Sequence, residues 1–161
     1  MKALFYCTLI QFKRPGSQSN RRKAMVDHVD ASKRAEIMAA VKSKDTSAEL
    51  ALRRLLHRAG YRYRLHDRKL PGSPDIVFPG RKKAIFINGC FWHRHIDCRY
   101  ATTPKSRVEF WEAKFAANVE RDHRNMAALE QMGWSVAVVW QCDLKQPEKV
   151  LARVTQFLES K

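Results

Sequence analysis

An apolar strand that runs directly into a cluster of metal-binding side chains is the feature that most constrains this chain. Residues 84–88 are apolar until the last one, as expected of a central strand that is covered on both faces. Gly89 follows, and residues 90–98 then contain two cysteines, two histidines, a Phe-Trp pair and an acid. Such a density of ligands predicts a metal site at the end of a buried strand.

The hydrophobic pattern of the whole chain predicts a single α/β domain. Capping boxes at 46–49 and 106–109 begin two helices, which end near Gly60 and Met132. A short helix is expected over 32–42, and Pro147 starts a last amphipathic helix. Four strands are predicted, over residues 61–65, 75–78, 84–88 and 135–140. This order of elements favours a central mixed sheet that is sandwiched by helices.

The formal net charge of +15 on 161 residues favours a polyanionic partner. The preference for nucleic acid is moderate, because the alternatives are a basic soluble surface and attraction to a membrane surface. Residues 1–26 carry six Lys or Arg and no acid, so we expect a flexible basic arm ahead of a domain over 27–161. No apolar run approaches membrane-spanning length, and we expect a soluble, intracellular monomer that does not bind a membrane.

Three of the four cysteines can be grouped with histidine, two of them within the same short segment, which indicates metal in a reducing compartment. Cys90, His95 and Cys98 are closely spaced, and Cys142, just after the last strand, completes four ligands of the kind that structural zinc takes. His93 is an alternative ligand to His95, because its spacing from Cys90 is also suitable. The competing interpretation is a set of ordinary buried thiols and a surface histidine.

Three acids are candidates for a catalytic site. Asp75 begins a strand after a turn, where it either accepts turn hydrogen bonds or binds Mg²⁺ for phosphodiester cleavage. Glu49 occupies the third helical position of a capping box, so it either caps the helix or borders a site near Asp75. Asp122 interrupts the apolar stripe of the long helix and therefore needs a partner, either His93 as a general base or an arginine in a structural ion pair.

Phe91 and Trp92 lie within the metal loop, where exposure and contact with DNA bases are expected. Trp111, near the start of the long helix, either joins them or packs in the core, since it lies on the apolar stripe.

Several segments resemble the very short patch repair (Vsr) mismatch endonucleases. The similarity covers roughly residues 28–158, and its most specific part is Gly-Cys-Phe-Trp-His at 89–93. The segments are Pro74-Asp75, residues 86–95, Glu109-Phe110-Trp111, residues 118–122 and residues 139–142. The resemblance implies a restriction-endonuclease-like α/β/α sandwich with a variant PD-(D/E)xK core. It also implies nicking of one strand of duplex DNA beside the thymine of a T:G mismatch, which starts repair of deaminated 5-methylcytosine in a bacterial-type cytoplasm.

The resemblance implies roles for particular residues. Asp75 and the backbone carbonyl of Ile87 bind Mg²⁺, His93 is the catalytic base, Asp122 supports it, and Glu49 lies at the edge of the site. The remaining residues of the motif are assigned to structural zinc (Cys90, His95, Cys98 and Cys142) and to intercalation beside the mismatch (Phe91, Trp92 and Trp111).

The chain departs from the wider nuclease superfamily at two positions. Phe86 and Asn88 stand where the usual second acid and lysine are found. Two alternatives therefore accompany the mismatch nuclease: a restriction-type endonuclease of the same fold that needs no mismatch, and a zinc-stabilised DNA-binding module without catalysis.

Overall fold

The structure is a computed structural model that describes residues 44–160 together with Lys33 and Glu36. The basic arm expected over 1–26 lies outside the described residues, as does most of the helix expected over 32–42. Lys33 and Glu36 are both helical, and their side chains form an ion pair of 2.8 Å.

Three helices and four strands form the described part of the fold. The helices are α1 (Ser47–Arg58), α2 (Val108–Gln131) and α3 (Pro147–Glu159). The strands are β1 (Arg64–Leu65), β2 (Ile76–Phe78), β3 (Lys83–Asn88) and β4 (Ser135–Trp140). Short 3₁₀ turns at Pro79–Arg81 and Asp143–Lys145 follow β2 and β4.

The strands form one mixed sheet in the order β1-β2-β3-β4. β1 and β2 are antiparallel, as are β2 and β3, whereas β3 and β4 are parallel, with Asn88 opposite Trp140. The carboxyl ends of β3 and β4 therefore lie at the same edge of the sheet, and the loops that leave them are neighbours. This arrangement confirms the predicted mixed sheet between helices.

Each face of the sheet is covered by helices. On one face, α1 and α3 pack their apolar stripes against alternate strand residues; this core comprises Leu52, Leu56, Ile76, Phe78, Ile85, Val139, Val150, Val154 and Leu158. On the other face, Leu129 of α2 packs with Val77 and Ala84. The two sets alternate along β2 and β3, as the two-residue period of a strand requires.

Two local predictions were wrong in detail. The strand expected over 61–65 is only two residues long, Arg64–Leu65. The capping box expected at 106–109 does not form, because Arg107 rather than Ser106 precedes the first turn, with a left-handed φ of 54° and no side-chain cap. The box at Thr46 and Glu49 does form, with both of its reciprocal hydrogen bonds.

Among the described residues, no helix combines the length and the hydropathy needed to cross a membrane.

Candidate active site

A cavity of about 890 Å³ opens at the carboxyl end of β3, between the start of α1 and the middle of α2. The four side chains predicted to be catalytic all line it: Glu49, Asp75, His93 and Asp122. They come from four different segments of the chain, so their convergence is a property of the tertiary structure.

His93 and Asp122 are hydrogen-bonded through Nδ1 of the ring and Oδ2 of the carboxylate. Both side chains are about one-fifth exposed, at 23% and 19%. An ionised carboxylate can only accept, so Nδ1 carries the proton and Nε2 of a neutral ring keeps its lone pair. Of the two partners considered for Asp122, the structure places the histidine in direct contact, and Arg121 lies farther away, at 3.6 Å.

Asp75 is held by the backbone of β3. Its Oδ2 accepts a hydrogen bond of 2.7 Å from the N–H of Ile87. The pKa of Asp75 is raised, chiefly because burial penalises the charged form and also because Glu49 is nearby; the bond from Ile87 opposes this shift. A buried carboxylate with a raised pKa is stabilised when a cation is placed beside it.

Glu49 both caps α1 and borders the cavity that Asp75 lines, which are the two roles considered for it. Its carboxylate accepts from the backbone N–H of Thr46 at 3.4 Å and of Asp45 at 3.1 Å, which caps α1. The same side chain is only 3% exposed, lines the cavity, and forms an ion pair of 2.6 Å with Arg53.

His66 and Arg53 belong to the same network, and sequence reasoning missed both. His66 Nδ1 lies 3.8 Å from Asp75 Oδ1, and Nε2 lies 3.5 Å from Glu49 Oε2 and 2.8 Å from Arg53 Nη2. The signal was the strand register: Leu65 pairs with Ile76 in an antiparallel ladder, so the next residue, His66, lies opposite Asp75.

The four predicted zinc ligands lie together. Sγ of Cys90, Cys98 and Cys142 and a ring nitrogen of His95 are all within 4.8 Å of one another. Nδ1 of His95 is 3.7 Å from Cys90 Sγ and 3.2 Å from Cys142 Sγ. Donor atoms around a tetrahedral zinc ion are separated by about 3.5–3.8 Å, given the usual zinc–sulfur and zinc–nitrogen distances. The cluster therefore fits a structural zinc ion, and His95 rather than His93 belongs to it.

The chemistry of the donors also fits a cation. Burial and the neighbouring thiols raise the pKa of Cys142 to about 12, and burial raises the pKa of Cys90. Three thiolates cannot share so small a volume unless a cation offsets their charge. Burial lowers the pKa of His95, which favours the neutral ring that a metal requires.

The loop after β3 separates the two histidines by a series of tight turns. The N–H of His93 donates to the carbonyl of Gly89 and that of His95 to Cys90, both at 3.1 Å. Arg94, between them, has a left-handed φ of 54°. The His95 ring then stacks on Trp140, with centroids 4.2 Å apart, while His93 turns towards α2.

The predicted DNA-contacting aromatic residues form one cluster. Phe91 packs edge-on against Trp92 at 5.0 Å, Trp111 at 5.7 Å and Phe115 at 5.1 Å between ring centroids. Phe91 and Trp92 are half-buried, whereas Trp111 is 6% exposed. Of the two positions considered for Trp111, the structure therefore shows the one in the core. Phe91 and Trp92 lie nearer the surface.

Comparison with known proteins agrees with this geometry. Residues 26–100 match the family model described as DNA mismatch endonuclease Vsr. The chain is 49% identical over 135 residues to the type II nicking enzyme V.XorIIP of Xanthomonas oryzae pv. oryzae, covering 84% of this chain and 98% of that protein. It is 41% identical over 126 residues to the DNA mismatch endonuclease Vsr of Escherichia coli K12, covering 78% of this chain and 80% of that protein.

The fold is also similar to a solved structure. The catalytic domain of the homing endonuclease I-Bth0305I superposes with a TM-score of 0.50, at 19% sequence identity, over 72% of this chain and all of that domain. This likeness confirms the restriction-endonuclease-like α/β/α architecture.

Proposed function

Because this chain belongs to the Vsr family of DNA mismatch endonucleases, we propose that it nicks one strand of duplex DNA beside the thymine of a T:G mismatch. The nick would begin very short patch repair of deaminated 5-methylcytosine. The observation that carries the proposal is that Asp75 and the hydrogen-bonded pair of His93 and Asp122 line the same cavity.

Asp75 and the backbone carbonyl of Ile87 are the proposed Mg²⁺ ligands. In a strand, the N–H and the C=O of one residue point to the same side. The N–H of Ile87 points to Asp75, so its carbonyl faces that side too, whereas the carbonyl of the next residue, Asn88, accepts from Gln141 on the β4 side. Both donors are oxygen atoms, which suits a hard cation. Bound there, Mg²⁺ would polarise a phosphate oxygen and offset its charge.

His93 is the proposed general base. With Nδ1 donating to Asp122, Nε2 is free to take a proton from water as the oxygen forms its bond to phosphorus and the bond to the sugar oxygen breaks. Asp122 fixes the ring orientation and stabilises the charge that the ring gains. Glu49 contributes negative charge at the edge of the site.

Zinc is proposed as a structural ion held by Cys90, His95, Cys98 and Cys142. Four protein ligands leave no open position for substrate, so the ion would stabilise the fold without taking part in cleavage. It would join the loop that carries His93 to the turn after β4, because Cys142 lies in that turn.

Phe91 and Trp92, with Trp111 behind them, are proposed to insert beside the mismatch. A mismatched pair costs less to unstack than a matched one, so insertion would contribute to selection of the T:G site. Lys114 is placed to assist, since its Nζ lies 5.7 Å from the centre of the Trp92 ring.

A second candidate is a nicking enzyme that needs no mismatch. It is favoured by one finding: the relative with 49% identity is named a type II nicking enzyme rather than a mismatch endonuclease. The remaining parts of the proposal are a basic arm over 1–26, an endonuclease domain over 27–161, and a monomer that acts on double-stranded DNA in the cytoplasm.

The test is a strand-specific nicking assay on duplexes that differ only in one base pair, T:G or T:A, with and without Mg²⁺. We expect one strand of the T:G duplex to be cut beside the thymine, only in Mg²⁺. Equal cutting of both duplexes would favour the second candidate. Binding without any cutting would favour a DNA-binding module.

A further inference from the structure

The walls of the cavity carry more acidic than basic side chains, although the formal net charge of the chain is +15. Three carboxylates line it, from Glu49, Asp75 and Asp122. Within the part of the chain that the structure describes, Arg121 is the only lysine or arginine among the lining residues. A phosphate that enters this cavity is therefore repelled unless a cation faces it.

The guanidinium of Arg121 is available for such a contact. Its Nη2 lies 3.6 Å from Oδ1 of Asp122, which is too long for a hydrogen bond, and the Oδ2 of that carboxylate accepts from His93. The Arg121 side chain is 53% exposed, so it is not committed to a buried ion pair. Among the described residues, no acceptor lies within hydrogen-bonding distance of its N–H groups, which leaves the planar fork free for an anion.

We propose that Arg121 is a further catalytic residue, whose guanidinium binds the phosphate that is cleaved. The inference rests on the proposed nuclease function. Arginine donates two parallel hydrogen bonds to phosphate oxygens, and their charge rises as the attacking oxygen approaches phosphorus. The position beside Asp122 places this charge next to the hydrogen-bonded pair of His93 and Asp122, in the cavity that Asp75 also lines.

The first experiment compares Arg121→Gln and Arg121→Lys with Arg124→Gln. Arg124 is a matched control, because it lies on the same helix, is exposed and does not line the cavity. We expect Arg121→Gln to lower kcat by about 10²–10³-fold, the usual effect of losing one donor to a developing anion. The kcat of Arg121→Lys should fall less, because lysine keeps the positive charge but cannot donate two parallel hydrogen bonds. The kcat of Arg124→Gln should stay within about twofold of wild type.

A second measurement separates contact with phosphate from an effect through Asp122. Binding is measured without Mg²⁺ to two duplexes, one natural and one with an uncharged methylphosphonate at the scissile position. If Arg121 contacts that phosphate, Arg121→Gln weakens binding of the natural duplex and leaves binding of the methylphosphonate duplex unchanged. Equal weakening of both duplexes, or no loss of cleavage in Arg121→Gln, would overturn the proposal.

Wild-type cleavage in the same assay separates this inference from the proposed function. If wild type nicks the T:G duplex and Arg121→Gln nicks it equally well, only the role of Arg121 fails. If wild type cuts matched and mismatched duplexes alike, only the mismatch requirement fails, and the variants are compared on the matched duplex. Cleavage of neither duplex would overturn both.

Discussion

His93 and Asp122 are hydrogen-bonded side chains that lie 29 residues apart in the sequence, one on the loop after β3 and the other on α2. The loop turns so that His93 faces α2, while His95, two residues later, faces the thiols of Cys90 and Cys142. One segment thus supplies both the proposed base, His93, which contacts α2, and a proposed metal ligand, His95, which contacts the turn after β4.

Replacing Asp122 by Asn should impair catalysis without unfolding the protein. The amide has the same shape, but it no longer fixes the tautomer of His93 and cannot stabilise a charged ring. We expect kcat to fall by roughly 10²–10⁴-fold, as for an equivalent change in a carboxylate–histidine pair. Single-turnover nicking measures the loss, and exposed Glu120→Gln is the control. A kcat of Asp122→Asn within twofold of wild type would show that the hydrogen bond between Asp122 and His93 does not contribute to catalysis.

The two histidines of the loop should have separable effects. His93→Ala should abolish nicking and retain zinc, whereas His95→Ala should release zinc and lower the melting temperature, because the cluster joins two loops. Metal analysis by emission spectroscopy, together with thermal denaturation of both variants, measures this. Each variant is the control for the other. Loss of zinc from His93→Ala would show that the ligand assignment is wrong.

Asp75→Ala should abolish nicking and leave DNA binding largely intact, because it removes a proposed metal ligand and not a DNA-contacting surface. Gel-shift binding of a T:G duplex, measured beside the nicking assay, tests both parts. Asp67→Ala, on the preceding turn, is the control. Unchanged nicking rates in Asp75→Ala would refute the metal-binding role.

Asp75 should destabilise the protein at neutral pH when Mg²⁺ is absent. Burial raises the pKa of this carboxyl in the folded state, so the folded state holds its proton more tightly than the unfolded one. The stability that the group contributes is present below the unfolded pKa and is lost as pH rises through the folded pKa. Asp75→Asn should therefore raise the free energy of unfolding at pH 7, and the difference should vanish below pH of about 4, where both forms are neutral. Urea titrations with zinc retained and no added Mg²⁺ measure the difference in unfolding free energy between Asp75→Asn and wild type. A difference that is the same at all pH values would show that the ionisation of Asp75 is not its cause.

Trp92 and Trp111 should respond differently to truncation. Trp111 is buried against Phe115 and Phe91, so Trp111→Ala should cost about 3–5 kcal/mol of unfolding free energy. Trp92→Ala should cost less and should reduce the ratio of T:G to T:A nicking. Denaturant unfolding and the nicking assay measure the two effects. Equal destabilisation by both changes would place Trp92 in the core as well.

Much of the fold could be predicted from patterns along the chain. The apolar run in β3, the capping box at Thr46 and Pro147 at the start of α3 are local signals, and each of these elements forms where it was predicted. The predicted box at Ser106 failed because the helix begins one residue later, after a left-handed Arg107. A one-residue shift in a turn leaves almost no trace in hydrophobic periodicity.

A cluster of cysteine and histidine side chains could be predicted from spacing, but the choice between the two histidines could not. Spacing allows either ring, whereas the turn at Arg94 points only one of them at Cys142. His66 escaped notice for the same kind of reason. It matters because of strand register, and register depends on which residues pair across a hairpin.

The order of the amino acids was enough to predict most of the helices and strands, a cluster of cysteine and histidine side chains, and the family, because these depend on local spacing and residue type. Long-range packing decided which groups share the cavity, which histidine faces the three thiols, and which side chain is the partner of Asp122. Those contacts depend on the relative positions of distant segments, and a linear pattern holds no information on them until the sheet has fixed where each segment lies.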